Sequence, residues 1–332
     1  MKLDLLDIVQ CPNCAGALRA GDARVCCAQC GTRYDYRGGI LDLHPAPSQA
    51  AQLEMQGHVI LENQWIESIP ETLRPFVRDA GGEELLLSLP RLTHPDLVQI
   101  PSLARINENA SDFFSLLDLI RIRPGEVILE IGAHMGWASH QLARRGAAVL
   151  AMDISHQLAL TDIFIRRGVA LERVFADMMV FPVREGVLDR VFAVATIHHA
   201  DDLERLFRAC ARALRPGGSC VFFSEPVAGL YDTSIKEAFG AEEKDLGIQE
   251  HIYTIVEYFG AARRAGLRPS VVPLPEILLQ PHRRYRLFRK LWWWLLRCGL
   301  GYTPVFTRVI YPFMLRYYPR VPFPHLALVL HK

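Results

Sequence analysis

Val127-Ile-Leu-Glu130-Ile-Gly132-Ala-His134-Met-Gly136 is the stretch on which the reading of this chain turns. An apolar β-type run ends in an acid and a glycine. It then passes a second glycine into the helical pattern of Trp137 to Arg145. A glycine turn of this kind lets backbone come close to a ligand, as nucleotide-like cofactors require. The same turn also occurs where close packing is the only demand, so a second landmark is needed. Val149-Leu-Ala-Met-Asp153 provides it: another apolar run ending in a carboxylate, about 20 residues on, where a ribose diol would be held.

Working outward, strands and helices alternate. The pattern predicts a helix from Asp112 and strands at 127–131, 148–152, 172–175, 188–195 and 219–224. Helices are expected at 137–145, 156–167, 201–214 and 251–265. That alternation predicts an α/β fold with a parallel sheet wrapped by helices, and a ligand at the carboxyl ends of the strands.

The chain has 332 residues, half of them hydrophobic, and a formal charge of +1. No global basic field is present to attract nucleic acid, so nucleic acid is disfavoured as a partner. The N-terminus lacks a basic start followed by an apolar run, which predicts no export signal and a cytoplasmic location. No apolar stretch is long enough for an ordinary transmembrane span.

Five of the eight cysteines lie between Cys11 and Cys30. Cys11-Pro-Asn-Cys14 and Cys27-Ala-Gln-Cys30 are two C-x2-C pairs with twelve residues between them. Two such turns complete a tetrahedral zinc site, and four thiolates leave no open position for catalysis. Structural Zn2+ on Cys11, Cys14, Cys27 and Cys30 is therefore expected. The alternative is a set of free thiols in a segment too short to form a core alone.

Cys30-Gly-Thr-Arg-Tyr-Asp-Tyr-Arg-Gly-Gly-Ile-Leu-Asp-Leu-His44-Pro, with the cysteine pairs, resembles the zinc ribbon of tRNA-methyltransferase activator proteins over roughly residues 8–46. Residues 105–275 resemble class I S-adenosylmethionine-dependent methyltransferases of the type 11 kind. Glu130, Gly132 and Gly136 match the family's first motif, with His134 in place of its middle glycine. Asp153, with Ile154 after it, stands where the family holds the ribose. Phe175-Ala-Asp177-Met178 matches the adenine-binding motif. Leu188 to His199 matches the fourth strand and its turn, and Leu214-Arg-Pro-Gly-Gly218 the turn before the fifth. Glu250 to Tyr258, with Ala265-Gly266-Leu267, resembles the late helix and turn of many small-molecule methyltransferases, and Val271-Val-Pro-Leu and His325 to His331 resemble the family's two closing strands. The resemblance implies an α/β, Rossmann-like, doubly wound, mostly parallel sheet of seven strands.

The resemblance implies S-adenosyl-L-methionine as cofactor, bound by Glu130, Gly132, His134, Gly136, Asp153, Ile154, Asp177, Met178 and Thr196. A dinucleotide dehydrogenase would share Gly132 and Asp153 but not the Asp177-Met178 or Leu214–Gly218 motifs. His198 and His199 end the fourth strand, where an acceptor meets the methyl group, and imidazole can take a proton near neutral pH. The bland reading packs one under the sheet and uses the other to cap the following helix. Glu225, at the end of the fifth strand, is a candidate substrate contact or a simple turn residue.

The expected organisation is a zinc ribbon at 1–46, a helical connector or cap at 47–110 and a methyltransferase domain at 111–332 with an aromatic-rich insertion at 276–324. Within that insertion, 283–297 joins arginines to Trp292-Trp293-Trp294. Either it covers the substrate mouth or it lies peripherally in a membrane interface. The function that follows is methyl transfer to a small-molecule or lipid-like acceptor. An RNA methyltransferase is the alternative enzyme, and a non-catalytic cofactor-binding protein is a third reading resting on His134.

Overall fold

The computed structural model describes residues 4–21, 24–44, 47–78, 80–229, 236, 239–274, 294–295, 297–313 and 325–332. Four short strands open the chain: β1 (Leu18–Ala20), β2 (Arg24–Cys27), β3 (Arg33–Arg37) and β4 (Ile40–Asp42), joined as antiparallel neighbours. The central region adds β5 (Val127–Ile131), β6 (Ala148–Asp153), β7 (Leu171–Phe175), β8 (Leu188–Val194) and β9 (Leu214–Ala228). Then follow β10 (Tyr253–Thr254), β11 (Arg268–Val271) and β12 (His325–His331).

These form one twelve-stranded sheet in the order β1-β2-β3-β4-β7-β6-β5-β8-β9-β12-β11, with β10 alongside β9. Pairing is parallel from β4 through β9 and antiparallel around β12. Every residue of β5 and β6 is buried, as parallel strands covered on both faces require. The chain order reverses between β5 and β8. The loops leaving these two strands therefore face each other across a crevice at the carboxyl edge.

The expectation of seven strands thus falls short, because the cysteine-bearing segment does not stand apart. β4 pairs with β7, matching Ile40 to Arg173 and Asp42 to Phe175. Val9 bridges Val183, and Arg184 Nε donates to the Val9 carbonyl at 3.1 Å. Leu5, Ile8, Val25, Tyr34 and Leu41 share one buried cluster with Leu129, Leu150 and Val174. A ribbon too small to build its own core completes it against a neighbour.

Local chemistry fixes the covering helices. In Leu203–Ala213 the buried residues Leu203, Leu206, Phe207, Cys210 and Ala213 recur at helical spacing on one face. Its N-cap is Asp202, whose side chain accepts from Arg205 N at 2.9 Å, so neither histidine caps this helix. The helix expected at 251–265 begins only at Ile255. Thr254 and Glu257 form a capping box there, and Tyr253 and Thr254 are drawn into pairing with β9. The helix expected at 156–167 is instead a 3-10 turn, His156–Thr161, followed by the short helix Asp162–Arg166.

Between β4 and β5 run the helices Gln49–Ser68, Ala80–Ser88 and Pro101–Glu108. Gln49–Ser68 packs at Gly57 against Ile248 and the Leu246 carbonyl so closely that an added Cβ would lie 2.6–2.7 Å from them. This fixes the helix over the end of the crevice formed by residues 246–250. Most of 283–297, including Trp292 and Trp293, lies outside the described residues, whereas Trp294 is exposed. No helix among the described residues is long and apolar enough to cross a membrane.

Candidate active site

The loop after β5 keeps the backbone its sequence foretells, with φ at +66° for Gly132, +47° for His134 and +74° for Gly136. A Cβ on Gly132 would come within 2.3 Å of Thr196 Cγ2, and one on Gly136 within 2.3 Å of Thr161 Cγ2. Both glycines are therefore obligatory, for conformation and for space. His134 adopts the left-handed conformation of the glycine it replaces, so the turn is not widened. Its N–H donates to Asp153 Oδ2 at 2.6 Å. His134 is exposed within the crevice, where crowding by the surrounding protein disfavours the charged ring and lowers its pKa.

Asp153, at the tip of β6, also accepts from Ser155 N at 2.6 Å through Oδ1. Burial raises its pKa, opposed by the N–H groups of His134 and Ser155. Each oxygen retains a lone pair beyond these bonds, so the carboxylate is held rigidly yet can still accept from a diol. Asp177 follows β7 on the neighbouring strand, with Oδ1 accepting from Met179 N at 2.7 Å. Ile154 and Met178 beside these acids are partly buried.

Glu130 and Thr196 have supporting positions. Glu130 is buried, its Oε2 accepting from Ser139 Oγ beneath the glycine turn, and burial raises its pKa to about 8. Thr196 donates its hydroxyl to the Val194 carbonyl at 2.8 Å and packs on Gly132.

Across the crevice, Glu225 is 0 % exposed and does not meet solvent as a substrate contact would. It accepts from Thr196 N at 2.8 Å, Ile197 N at 3.1 Å and His198 N at 3.3 Å, and meets His198 Nδ1 at 2.9 Å. It is a positioning residue that sets the turn after β8 and orients one imidazole. Burial works against charge on His198. The hydrogen bond and charge of Glu225, with Glu250 nearby, outweigh it and raise the pKa. His199 is the opposite case: burial, with His198 beside it, holds it well below the ordinary value.

Three groups that sequence reasoning missed complete this side. Glu250 lies 3.5 Å from His198 Nε2 and 3.7 Å from His199 Nδ1. Glu54 and His58 reach it from helix Gln49–Ser68, with Glu54 3.9 Å from His199 Nδ1. Burial raises Glu54 to about 8 and Glu250 to about 7. The spacing of Glu54 and His58, one turn apart on a helix, was the only available signal. It carries no meaning until the helix is docked.

At the far end of the sheet Cys11, Cys14, Cys27 and Cys30 converge, all four sulfurs within 4.8 Å of one another. Cys11–Cys30 and Cys14–Cys27 stand at 3.6 and 3.5 Å. Tyr34, buried, places its hydroxyl 3.0 Å from Cys11 Sγ, and Cys27 Sγ accepts from the N–H groups of Gln29 and Cys30. A Cβ on Gly16 would touch Cys27 Sγ at 2.9 Å, a further requirement that the sequence did not disclose.

Residues 129–222 match the family model described as a methyltransferase domain. The chain is 30% identical over 208 residues to methyltransferase GfsG of Streptomyces halstedii, which covers 56% of this chain and 73% of that one. It is 29% identical over 146 residues to a ubiquinone biosynthesis O-methyltransferase of Pseudomonas fluorescens, across 40% of this chain and 62% of that one. Other relatives are spanned less fully, a sterol 24-C-methyltransferase of Gibberella zeae over 31% of its length.

Among solved structures, geranyl diphosphate C-methyltransferase from Streptomyces coelicolor shares the fold. Its TM-score is 0.53 at 16% identity, covering 86% of this chain and 98% of that one. The chain belongs to the S-adenosylmethionine-dependent methyltransferases. Its Rossmann-like α/β fold is that of the family.

Proposed function

We propose that this protein transfers a methyl group from S-adenosylmethionine to a small-molecule or lipid-like acceptor bound between the β8 turn and helix Gln49–Ser68. The observation that carries this reading is the facing pair of loops. The Gly132–Gly136 cradle with Asp153 stands on one side, and His198, braced by the buried Glu225, stands on the other.

When bound, the cofactor supplies an electrophilic methyl group. The chain's residues supply placement. Gly132 and Gly136 admit the backbone to close approach, and Asp153 accepts from the ribose hydroxyls. Asp177 accepts from the adenine amine beside Met178, and Ile154 lends apolar wall. Glu130 and Thr196 keep the cradle in shape. Methyl transfer depends mainly on proximity and in-line orientation, with a group to accommodate the acceptor's proton. His198, His199 and Glu250 form that group.

The names of relatives support the acceptor class, since sterol and ubiquinone-pathway methyltransferases are among them. Exposed Trp294, Val305, Val309 and Phe313 are in keeping with peripheral membrane contact near 283–297; Tyr302, Thr307 and Arg308 of this segment border Glu126, Asp189 and Gly217 at the amino edge of the sheet, away from the acceptor crevice. The test is transfer of labelled methyl into a cell extract separated into aqueous, lipid and RNA fractions. Label in the lipid or small-molecule fraction supports the reading. Label in RNA, with salt-sensitive binding, would replace it with the RNA methyltransferase reading.

The thiol cluster fits structural zinc. Sulfurs at about 2.3 Å from a tetrahedral ion lie roughly 3.8 Å apart, close to the 3.5 and 3.6 Å found. Cys14→Ser should remove one ligand and loosen β4 from β7. We expect a loss of at least about 2 kcal/mol and a fall in Tm of roughly 3 °C or more, read by thermal melting alongside the zinc content. A full zinc complement with an unchanged melt would remove the zinc assignment.

His134→Gly addresses the one departure from the family's first motif. Glycine removes a left-handed penalty of about 1 kcal/mol, partly offset by its greater freedom when unfolded. Calorimetry should show S-adenosylmethionine affinity within about twofold of the parent, by the same balance of small terms. A tenfold loss would mean that the imidazole itself contacts the ligand.

A further inference from the structure

We propose that His198, His199 and Glu250 bind a divalent transition-metal cation at the acceptor end of the crevice. The proposal rests on the reading of this region as the acceptor site and names how the cluster does its work. One ring nitrogen of each histidine and one oxygen of Glu250 lie within 4.8 Å of one another. Ligands around one ion, with bonds of roughly 2.1 Å, stand about 3.0–4.2 Å apart. The 3.5 Å from His198 Nε2 to Glu250 Oε2 already falls in that range, and the widest pair closes with a shift of a side chain.

The second observation is the shell behind the ligands. His198 turns Nδ1 to the fully buried Glu225 carboxylate at 2.9 Å, which leaves the Nε2 lone pair directed toward Glu250. A carboxylate behind a histidine is the arrangement by which proteins fix tautomer and orientation at metal sites. The His199 ring is held by its Nδ1 contact with the Gln249 carbonyl at 2.5 Å. Its neighbour Glu250 is thus presented from a segment whose backbone is itself tied to the site, since His251 N donates to the His198 carbonyl at 3.1 Å.

Charge supplies the third argument. Glu250 and Glu54 both border this cluster. Among the described residues, histidine nitrogens are the basic groups within 4.0 Å of them. Burial disfavours the charged form of both carboxyls, and a dication held by His198, His199 and Glu250 would favour the carboxylate form of Glu250 and of the neighbouring Glu54. Two imidazoles and a carboxylate suit borderline ions such as Co2+, Zn2+ or Fe2+ more than the all-oxygen preferences of Mg2+ or Ca2+. An acceptor bearing an ionisable oxygen is the chemical class such a site would take, because its proton becomes more acidic beside the cation.

The test is titration of the full-length chain with Co2+, followed by visible absorption. Cobalt on the four cysteines announces itself by intense sulfur-to-metal charge transfer, whereas an imidazole–carboxylate site gives only weak d–d bands. One equivalent without charge transfer is expected, retained in Cys14→Ser and weakened at least tenfold in Glu250→Gln and in His199→Ala. Far-UV circular dichroism confirms that both variants are folded; if one is not, the other decides. Cobalt bound only at thiolates, or bound equally by parent and variants, overturns the proposal. S-adenosylmethionine binding measured on the same samples keeps the two readings apart. Cofactor binding without cobalt removes the metal site alone, whereas absent cofactor binding removes the methyl-transfer reading.

Discussion

Replacing Asp153 by alanine is expected to weaken S-adenosylmethionine binding about 100-fold or more, on the basis of roughly 1.5–3 kcal/mol for each hydrogen bond to a charged group. The effect has two sources. The carboxylate is the group at the tip of β6 able to accept from a ribose diol. Its Oδ1 and Oδ2 also tie down the N–H groups of Ser155 and His134 at 2.6 Å each. Alanine removes the acceptor and frees the loop that must approach the cofactor. Asp153→Asn separates the two contributions, because the amide oxygen can keep one backbone bond while its NH2 faces the other N–H. Calorimetry on the folded variants reads both. Parent-like affinity in Asp153→Ala would mean that the second strand has been assigned wrongly.

Glu225→Ala should be the most destabilising change near the site, at about 3–5 kcal/mol, as for breaking other buried pairs. Three backbone N–H groups and His198 Nδ1 converge on this carboxylate, and the residue is 0 % exposed. Their desolvation is no longer compensated once the oxygens are gone. Denaturant melts measure the loss. Glu225→Gln keeps the shape and one acceptor oxygen but presents NH2 where the second oxygen stood. It should fold with a smaller loss while its histidine ring changes tautomer, visible in the imidazole nitrogen shifts by NMR. An alanine variant as stable as the parent would show that the β8 turn is held by something other than this carboxylate.

The two predictions differ in how far the sequence anticipated them. The place of Asp153 was legible because it follows from local order: an apolar strand, then an acid, at a fixed interval from a glycine turn. The glycine cradle was legible for the same reason, since positive φ is a property of one residue and its neighbours. Glu225 was singled out as the expected end of the fifth strand, either a substrate contact or a turn residue; it lies instead inside β9 (Leu214–Ala228), buried, where it holds the turn after β8. Whether an acid at that point faces water or backbone depends on the turn after β8, which lies 27 to 29 residues away in the chain. Glu54 and His58 went unseen because nothing in their own segment distinguishes them from other polar residues of a surface helix.

The ribbon shows the same division. Cysteine spacing predicted that Cys11, Cys14, Cys27 and Cys30 would meet, and their sulfurs do converge. Spacing could not predict that β4 would pair with β7 and extend the sheet, because β-pairing joins residues more than a hundred positions apart. By itself the sequence determined what short-range stereochemistry encodes: the strand–glycine–helix turn, the acids at strand ends, the paired cysteines and the amphipathic helices. Tertiary structure decided which way each polar group faces, and so which acids hold backbone and which border the acceptor site. It also joined the ribbon to the sheet. Burial and partnership are properties of the packed chain, set by whatever distant segment excludes water from a side chain.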